Sequence, residues 1–234
     1  MNNIGLTTKQ YLLSQYEDEK DRFREITRLD EEDKHQYKEL LDHLIKLHEG
    51  SVNASTEEKG KALEGLVSFL VKKSSVFNVF DNIRNTTNEI DQLMELNHIG
   101  KKMKEFITLP GDIFLSECKN YNKKIGVTWV GKLYTLLASN QSKIGFLFSY
   151  YGLAGSSWNS ASGLTRKVFL LKEKLEDRTY IIDINIKDFK KIDQGASLLE
   201  LIDAKMKALR LQTNFEKFLA EKHPAITTGE DTES

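Results

Sequence analysis

The chain of 234 residues contains 29% charged and 39% hydrophobic residues and carries a formal net charge of −1. These values are typical of a globular protein. Its longer apolar runs, such as residues 144–151, are far shorter than the roughly 20 residues that cross a bilayer. The single cysteine, Cys118, excludes an internal disulfide and a structural zinc site. We therefore expect a soluble, non-secreted, cytoplasmic protein with no membrane partner.

The charges are distributed unevenly along the chain. Residues 1–60 carry 9 basic and 14 acidic side chains, residues 61–222 carry 25 and 18, and residues 223–234 carry no basic and 3 acidic ones. This asymmetry indicates a separate acidic N-terminal piece and a basic central block. A basic block suits a phosphate-binding surface, although solvated surfaces commonly carry an excess of this size.

Residues 1–56 are expected to form an N-terminal helical region. The segment 7–49 contains no glycine or proline and is rich in good helix formers, so it predicts two helices that form a hairpin. Apolar residues recur at helical spacing in both helices. This apolar stripe could pack on the rest of the chain, on a second copy in a homodimer, or on a partner protein. The polar stretch 50–56 is the expected linker.

Residues 57–222 predict an α/β domain with a mixed sheet flanked by helices. A helix over 57–71 precedes a hairpin of two strands, 76–84 and 89–96, joined by a turn at 85–88. A connection over 97–111 leads to a third strand. A crossover helix, a parallel fourth strand, another helix, a last strand and a closing helix complete the domain, and an acidic tail is expected to be disordered. The expected ranges are 113–121, 127–139, 144–150, 160–175, 180–186, 196–222 and 223–234.

Two acidic residues and a lysine mark the candidate site. Asp91 lies in the second strand, and Glu117 and Lys119 lie two residues apart in the third, where alternation puts them on one face. Two carboxylates can hold a hard divalent cation, and a lysine can orient water or stabilise charge on a phosphate. The alternative is an exposed ion pair on an edge strand, but the neighbouring elements predict a central strand.

This order of elements and residues resembles the PD-(D/E)XK nuclease superfamily, and within it the Mrr-type restriction endonucleases. The resemblance covers roughly residues 57–193. The fold that it implies is a restriction-endonuclease-like αβββαβ core with the helical hairpin added at its N-terminus. Ile90 replaces the proline that gives the superfamily its name. The resemblance depends on four segments: 61–66 with Glu64, 88–91 with Asp91, Glu117-Cys118-Lys119, and the strand and glycine loop 148–155.

The resemblance implies a role for each site residue. Asp91, Glu117 and the backbone carbonyl of Cys118 would bind Mg²⁺ or Mn²⁺, and Lys119 would position or activate the attacking water. Glu64 would complete the metal shell through water or orient Lys119. Glu89, on the face of Asp91, could be an extra ligand or a salt-bridge partner. The implied activity is hydrolysis of phosphodiester bonds in DNA by an endonuclease, in restriction-type defence or in repair.

Other residues carry weaker signals. Lys101, Lys102 and Lys104 before the third strand, and Lys123 and Lys124 after it, are expected near the site and could contact DNA phosphates. Cys118 is expected to pack beneath the sheet rather than act as a nucleophile, because no histidine is near it in sequence. Trp129 and Trp158 are expected in the core, although Trp158 could instead stack on a base. A different class of function remains open, in which a degenerate domain binds nucleic acid without cutting, or the N-terminal helices dimerise or recruit a partner.

Overall fold

The computed structural model describes residues 8–50, 53–84, 89–107 and 109–219. The turn predicted at 85–88 and the tail predicted at 223–234 lie outside these residues. Within them, none of the helices combines the length and the apolar character that a bilayer-spanning helix needs. Eight α-helices are described, in addition to two short 3-10 turns at Leu175–Asp177 and Phe215–Phe218: α1 Thr8–Thr27, α2 Glu31–His48, α3 Thr56–Lys73, α4 His98–Met103, α5 Val127–Ser139, α6 Ala161–Leu170, α7 Ile186–Asp193 and α8 Leu198–Leu211.

The described strands form one mixed sheet in the order β1-β2-β3-β4-β5. Its first three strands form an antiparallel meander, and β4 and β5 continue it in parallel with β3. The predicted meander and the parallel fourth strand are therefore confirmed, and β3 is central. The strands are β1 Phe77–Arg84, β2 Glu89–Leu96, β3 Ile113–Cys118, β4 Ile144–Phe148 and β5 Tyr180–Ile184.

Apolar side chains cover both faces of the sheet. One face is buried by α2, α3, α7 and α8, with Phe114, Phe146 and Phe148 of the central strands among its fully buried residues. The other face carries Leu115 and Leu147 and is covered by α5 and α6. Every residue of β4 is buried, as expected for a parallel strand with helices on both sides. The architecture is thus a three-layer α/β fold.

Helix α2 belongs to this main core. Its residues Tyr37, Leu41 and Leu44 are buried in the same cluster as α3 and the sheet, and the Tyr37 hydroxyl donates a hydrogen bond to the Phe189 carbonyl at 3.0 Å. Helix α1 approaches the domain at its C-terminal end, where Arg28 and Arg24 lie 3.3 Å and 3.8 Å from the Glu200 carboxylate. The division of the chain at residue 56 into two domains remains a prediction, but α2 packs as part of the sheet's own core.

Several predicted boundaries are wrong. The predicted connection 97–111 contains α4, which the Asn97 side chain caps by accepting from the Gly100 N–H at 3.0 Å. The predicted strand 180–186 ends at Ile184, because Asn185 and Asp188 form a capping box that begins α7. The third strand ends at Cys118, the helix predicted over 160–175 ends at Leu170, and the last predicted helix ends at Leu211. After Leu211, Gln212 adopts a left-handed backbone with φ of 52°.

Candidate active site at the end of the central strand

The register of β2 and β3 brings Asp91 and Glu117 together. Gln92 pairs with Ser116, so the next residues along the two antiparallel strands, Asp91 and Glu117, are opposite neighbours on one face. The next pair on that face consists of Leu115, which is buried, and Leu93, which is partly buried, and both belong to the apolar cluster beneath α5. The two carboxylates are thus positioned by the same alternation that buries the leucines.

Lys119 lies between the two carboxylates. Its Nζ is 2.5 Å from Glu117 Oε1 and 3.2 Å from Asp91 Oδ2. The side chains of Lys119 and Glu117 are only 17% and 14% exposed, and that of Asp91 is 31% exposed. A shielded cluster at the end of a central strand is not the solvated ion pair of an edge strand. The alternative interpretation, an exposed ion pair on an edge strand, does not fit this geometry.

Asp91 also holds the end of β3 through its backbone. Its Oδ2 accepts a hydrogen bond from the Cys118 N–H at 3.1 Å, in addition to the one from Lys119. The backbone N–H of Lys119 continues the sheet by donating to the Phe148 carbonyl at 2.9 Å. Residues 117–119 are therefore fixed on both sides, by a side chain of β2 and by the backbone of β4.

An aromatic ring closes one side of the cluster. The Nζ atoms of Lys119 and Lys132 lie 4.6 Å and 4.4 Å from the ring centroid of Trp129, which belongs to the first turn of α5. Trp129 is half-buried, in partial agreement with its expected place in the core, and contacts the candidate site directly. The sequence contained a signal for this contact, because a crossover helix that follows β3 begins near the end of that strand.

The environment shifts the pKa values of the site groups. Burial raises the pKa of Glu117, although the hydrogen bond and charge of Lys119 oppose the shift. Burial disfavours the Lys119 ammonium, but the hydrogen bond and charge of Glu117, followed by the charge of Asp91, outweigh that effect and raise its pKa. Burial, then the charges of Asp91 and Glu64, raises the pKa of the Cys118 thiol well above its ordinary value. A protonated thiol is a poor nucleophile, which agrees with the structural role expected for Cys118.

Glu64 lies beside the cluster, on the exposed side of α3. Partial burial and then the charge of Asp91 raise its pKa, whereas Lys119 and Lys61 lower it. Glu64 is therefore close enough to interact electrostatically with both Asp91 and Lys119. The side chain of Glu89 lies outside the described residues.

Asp91 and Glu117 suit a hard divalent cation that water and substrate complete. The described residues contain no group of three or more His, Cys, Asp or Glu side chains that could hold a metal ion by themselves. Mg²⁺, however, is usually bound by only one or two carboxylates, with waters and substrate phosphates as the other ligands. Two carboxylates that converge on one nitrogen atom provide that number of oxygen donors. The set lacks the nitrogen and sulfur ligands that zinc prefers.

The predicted lysine contacts divide into two groups. Lys101, Lys102 and Lys104 lie in and just after α4, which follows the C-terminal end of β2, whereas Asp91 lies near its N-terminal end. The expectation that these three lysines are near the site is therefore wrong, because an antiparallel connection returns at the other end of the sheet. Lys104 forms an ion pair with Asp112 there. Lys123 and Lys124 are exposed in the loop after β3, at the same end as the site.

The expectation of a buried Trp158 is also wrong. Its side chain is 75% exposed in the loop before α6, and the Lys167 Nζ lies 3.3 Å from its ring centroid. Gly163 explains part of this placement: a Cβ atom there would collide with the backbone of Ser157 and Trp158, so the loop lies directly against the first turn of α6.

Comparisons with protein-family models, with curated proteins and with solved structures found no match to this chain.

Proposed function

We propose that the chain is a metal-dependent endonuclease of the PD-(D/E)XK class that hydrolyses phosphodiester bonds in DNA. The observation that supports this most is the convergence of Asp91 and Glu117 on the Nζ of Lys119 at the end of the central strand. From α3 to β4 the chain forms a helix, three strands, a helix and a strand, if the short helix α4 is set aside. This order agrees with the αβββαβ core of that class.

In this proposal, each residue has a separate task. Asp91, Glu117 and the Cys118 carbonyl would hold Mg²⁺ or Mn²⁺, and a bound ion would polarise the scissile phosphate and lower the pKa of a bound water. The Lys119 ammonium donates hydrogen bonds that position the attacking water and offset the negative charge that develops on a phosphate oxygen. Trp129 limits the positions open to the Lys119 side chain. Glu64 lies where it can orient the water or a metal-bound water.

Cleavage of supercoiled plasmid tests the proposal. We expect nicking or linearisation by the purified protein with Mg²⁺ or Mn²⁺, and none with EDTA. Lys119→Ala, Asp91→Asn and Glu117→Gln should each lower the rate by at least about a hundredfold, the order of magnitude of one positioned acid–base or electrostatic group.

Two variants provide matched controls for this assay. Glu95→Gln changes a carboxylate on the same strand and face as Asp91 but at the other end of β2, where Glu95 pairs with Ile113. Lys143→Ala changes a lysine that is ion-paired with Asp177 away from the site. Both should cleave like the wild type. Equal loss in the controls and the site variants, or no cleavage of plasmid, linear duplex or single-stranded DNA by the wild type, would reject the proposal.

A role in defence against foreign DNA is our proposal for the biological setting. Protection of a host that carries the gene against phage infection, lost with Lys119→Ala, would support it, whereas sensitivity to DNA-damaging agents on deletion would favour repair. Such an enzyme meets DNA in the cytoplasm, where a lone thiol such as Cys118 stays reduced.

A second function is favoured by the surface of α1. Tyr11, Leu12 and Ile26 on this helix are 54%, 54% and 43% exposed. Large exposed apolar side chains on one helix are typical of an interface, with a second copy or with a partner. Light scattering of the wild type and of Leu12→Glu tests dimerisation: we expect a dimer that the charged substitution converts to monomer, and a monomeric wild type excludes the homodimer.

A further inference from the structure

A basic groove lies at the same end of the sheet as the candidate active site. It is a cleft of about 380 Å³ at the carboxyl ends of β4 and β5, lined by Lys124 from the loop after β3, Arg166 of α6 and Lys187 of α7. The carboxyl ends of parallel strands meet at one edge of a sheet, so this cleft and Lys119 at the end of β3 share that edge.

The cations of the groove are available to a ligand. Within the described residues, Lys124, Arg166 and Lys187 form no ion pair with a carboxylate. Lys205, the fourth cation, is occupied by the Asp188 carboxylate at 2.8 Å and the Asp183 carbonyl at 2.7 Å. The acidic side chain that lines the groove is Asp183, and burial raises its pKa. The groove therefore presents a net positive surface of the kind that binds a phosphate backbone.

Exposed aromatic side chains belong to this surface. A second cleft of about 240 Å³ shares Arg166 with the first and contains Trp158, which is 75% exposed. Tyr151, which lines the first cleft, is 39% exposed and packs edge-on against Tyr150, with 4.9 Å between ring centroids. Exposed rings beside unpaired cations form the pattern on which unpaired bases stack while the cations contact the phosphates.

A peptide is the ligand that could compete with nucleic acid here, because β5 is the last strand in the sheet order. A peptide could pair with this edge strand, but the Lys205 ammonium binds the Asp183 carbonyl that such a peptide would need. A lysine of α8 that binds the outer backbone of an edge strand in this way opposes strand addition. The charge of the groove and its exposed rings also fit a polyanion with aromatic bases better than a peptide.

We propose that this groove binds a single-stranded segment of nucleic acid, with Arg166 and Lys124 on the phosphates and Trp158 and Tyr151 on the bases. Taken with the proposed nuclease function, on which this part rests, the substrate is DNA that has unpaired nucleotides beside the cleavage site, such as a flap or a junction. Plain duplex, whose bases are already stacked, cannot use the aromatic contacts.

Binding of fluorescein-labelled oligothymidylate, measured by anisotropy in EDTA, tests the groove without any cleavage. We expect tighter binding than to a duplex of the same length, and losses of about tenfold for Trp158→Ala and for Arg166→Gln, the effect of one stacked base or one strong phosphate contact. Trp158→Phe should keep most of the affinity because a phenyl ring still stacks. Lys102→Gln, an exposed lysine at the opposite end of the sheet, is the control and should bind like the wild type.

The possible results separate this inference from the proposed function. Unchanged affinity in both groove variants, or equal binding of duplex and single strand, would overturn the groove inference even if the plasmid is cut. Weakened binding in the groove variants together with a wild type that cuts no DNA would retain the groove and reject the nuclease. Faster cleavage of a flap than of a duplex, lost in Trp158→Ala and kept in Lys102→Gln, supports both.

Discussion

Asp91 makes two contacts of different kinds through one oxygen atom. Its ion pair with Lys119 belongs to the candidate chemistry, and its hydrogen bond with the Cys118 N–H completes the backbone at the end of β3. A side chain that replaces a missing partner in the sheet removes the cost of a half-buried, unpaired N–H. The proposed activity and the stability of the fold are therefore expected to depend on different properties of Asp91.

Two substitutions of Asp91 should separate these properties. Asp91→Asn keeps an oxygen that accepts from the Cys118 N–H but loses the charge, so we expect lost cleavage with a small change in stability. Asp91→Ala leaves the N–H unpaired and should lower the free energy of unfolding by about 1–3 kcal/mol more. Urea denaturation followed by circular dichroism measures the difference. Equal stability of the two variants would contradict the structural role.

His48 makes the stability of the fold dependent on pH. Its ring stacks on Tyr150 with 3.8 Å between centroids, and both ring nitrogens are buried. Burial lowers its pKa from the ordinary value of 6.5. A hydrogen bond with the Asn120 side chain opposes this shift, and the charge of Lys59 adds to it. The folded state therefore binds fewer protons than the unfolded state near that pH.

The lowered pKa of His48 is expected to make the folded state less stable in acid. The stability that a neutral His48 contributes is complete above pH 6.5 and is lost as the pH falls through the folded-state pKa. His48→Phe keeps a ring on Tyr150 and removes the titration. Thermal unfolding between about pH 8 and about pH 5 should show a smaller acid loss in His48→Phe than in the wild type, and parallel curves would exclude His48 as the cause.

At the scale of elements, α2 determines whether the N-terminal region can be separated from the sheet. Leu44 of α2 is fully buried in the core that α3 and the sheet share, and Tyr37 ties the helix to α7. α2 is thus a covering helix of the sheet. The exposed side chains Tyr11 and Leu12, by contrast, leave part of α1 free for another surface.

Leucine truncations in the two helices should differ sharply. Leu44→Ala removes a fully buried side chain and should lower the free energy of unfolding by about 2–5 kcal/mol, because a cavity remains. Leu12→Ala, at a position that is 54% exposed, should change it by less than about 0.5 kcal/mol. Denaturant titrations of both variants test this. A small effect of Leu44→Ala would mean that α2 can detach without unfolding the domain.

At the scale of the whole molecule, the proposed cation site couples ligand binding to folding. A ligand that binds only the folded state raises the free energy of unfolding, by about 2.7 kcal/mol when its concentration is a hundred times its dissociation constant. The site depends on the pairing of β2 with β3, so it does not exist in the unfolded chain. Metal binding should therefore be visible as thermal stabilisation even without DNA.

Thermal unfolding with increasing Mg²⁺ or Mn²⁺ measures this coupling. We expect the melting temperature of the wild type to rise, and the rise to disappear in Glu117→Gln and on addition of EDTA. Glu95→Gln, whose carboxylate lies at the far end of β2, should keep it. A shift of the same size in both variants would indicate nonspecific screening by the cation and would argue against a site at Asp91 and Glu117.

Local sequence patterns predicted the strands well because they reflect short-range physics. Alternation and apolar runs gave β1 to β5 within a few residues, and the crossover helix α5 indicated that β4 is parallel to β3. The same patterns missed α4 and α7, which are short and begin at the capping side chains of Asn97 and Asn185. The burial of Trp158 was mispredicted because its type favours a core, whereas the tight packing of the loop against Gly163 leaves it exposed.

The sequence by itself determined that Glu117 and Lys119 share a face, because they lie two residues apart where the extended chain of β3 ends. Only the tertiary structure decided that Asp91 joins them, since its position opposite Glu117 depends on the register between two strands. It also decided that Lys101, Lys102 and Lys104 lie at the far end of the sheet, and that Arg166 lines both the cleft of Lys124 and the neighbouring cleft of Trp158. Contacts between distant segments depend on how strands pair and helices pack, and no local pattern encodes those distances.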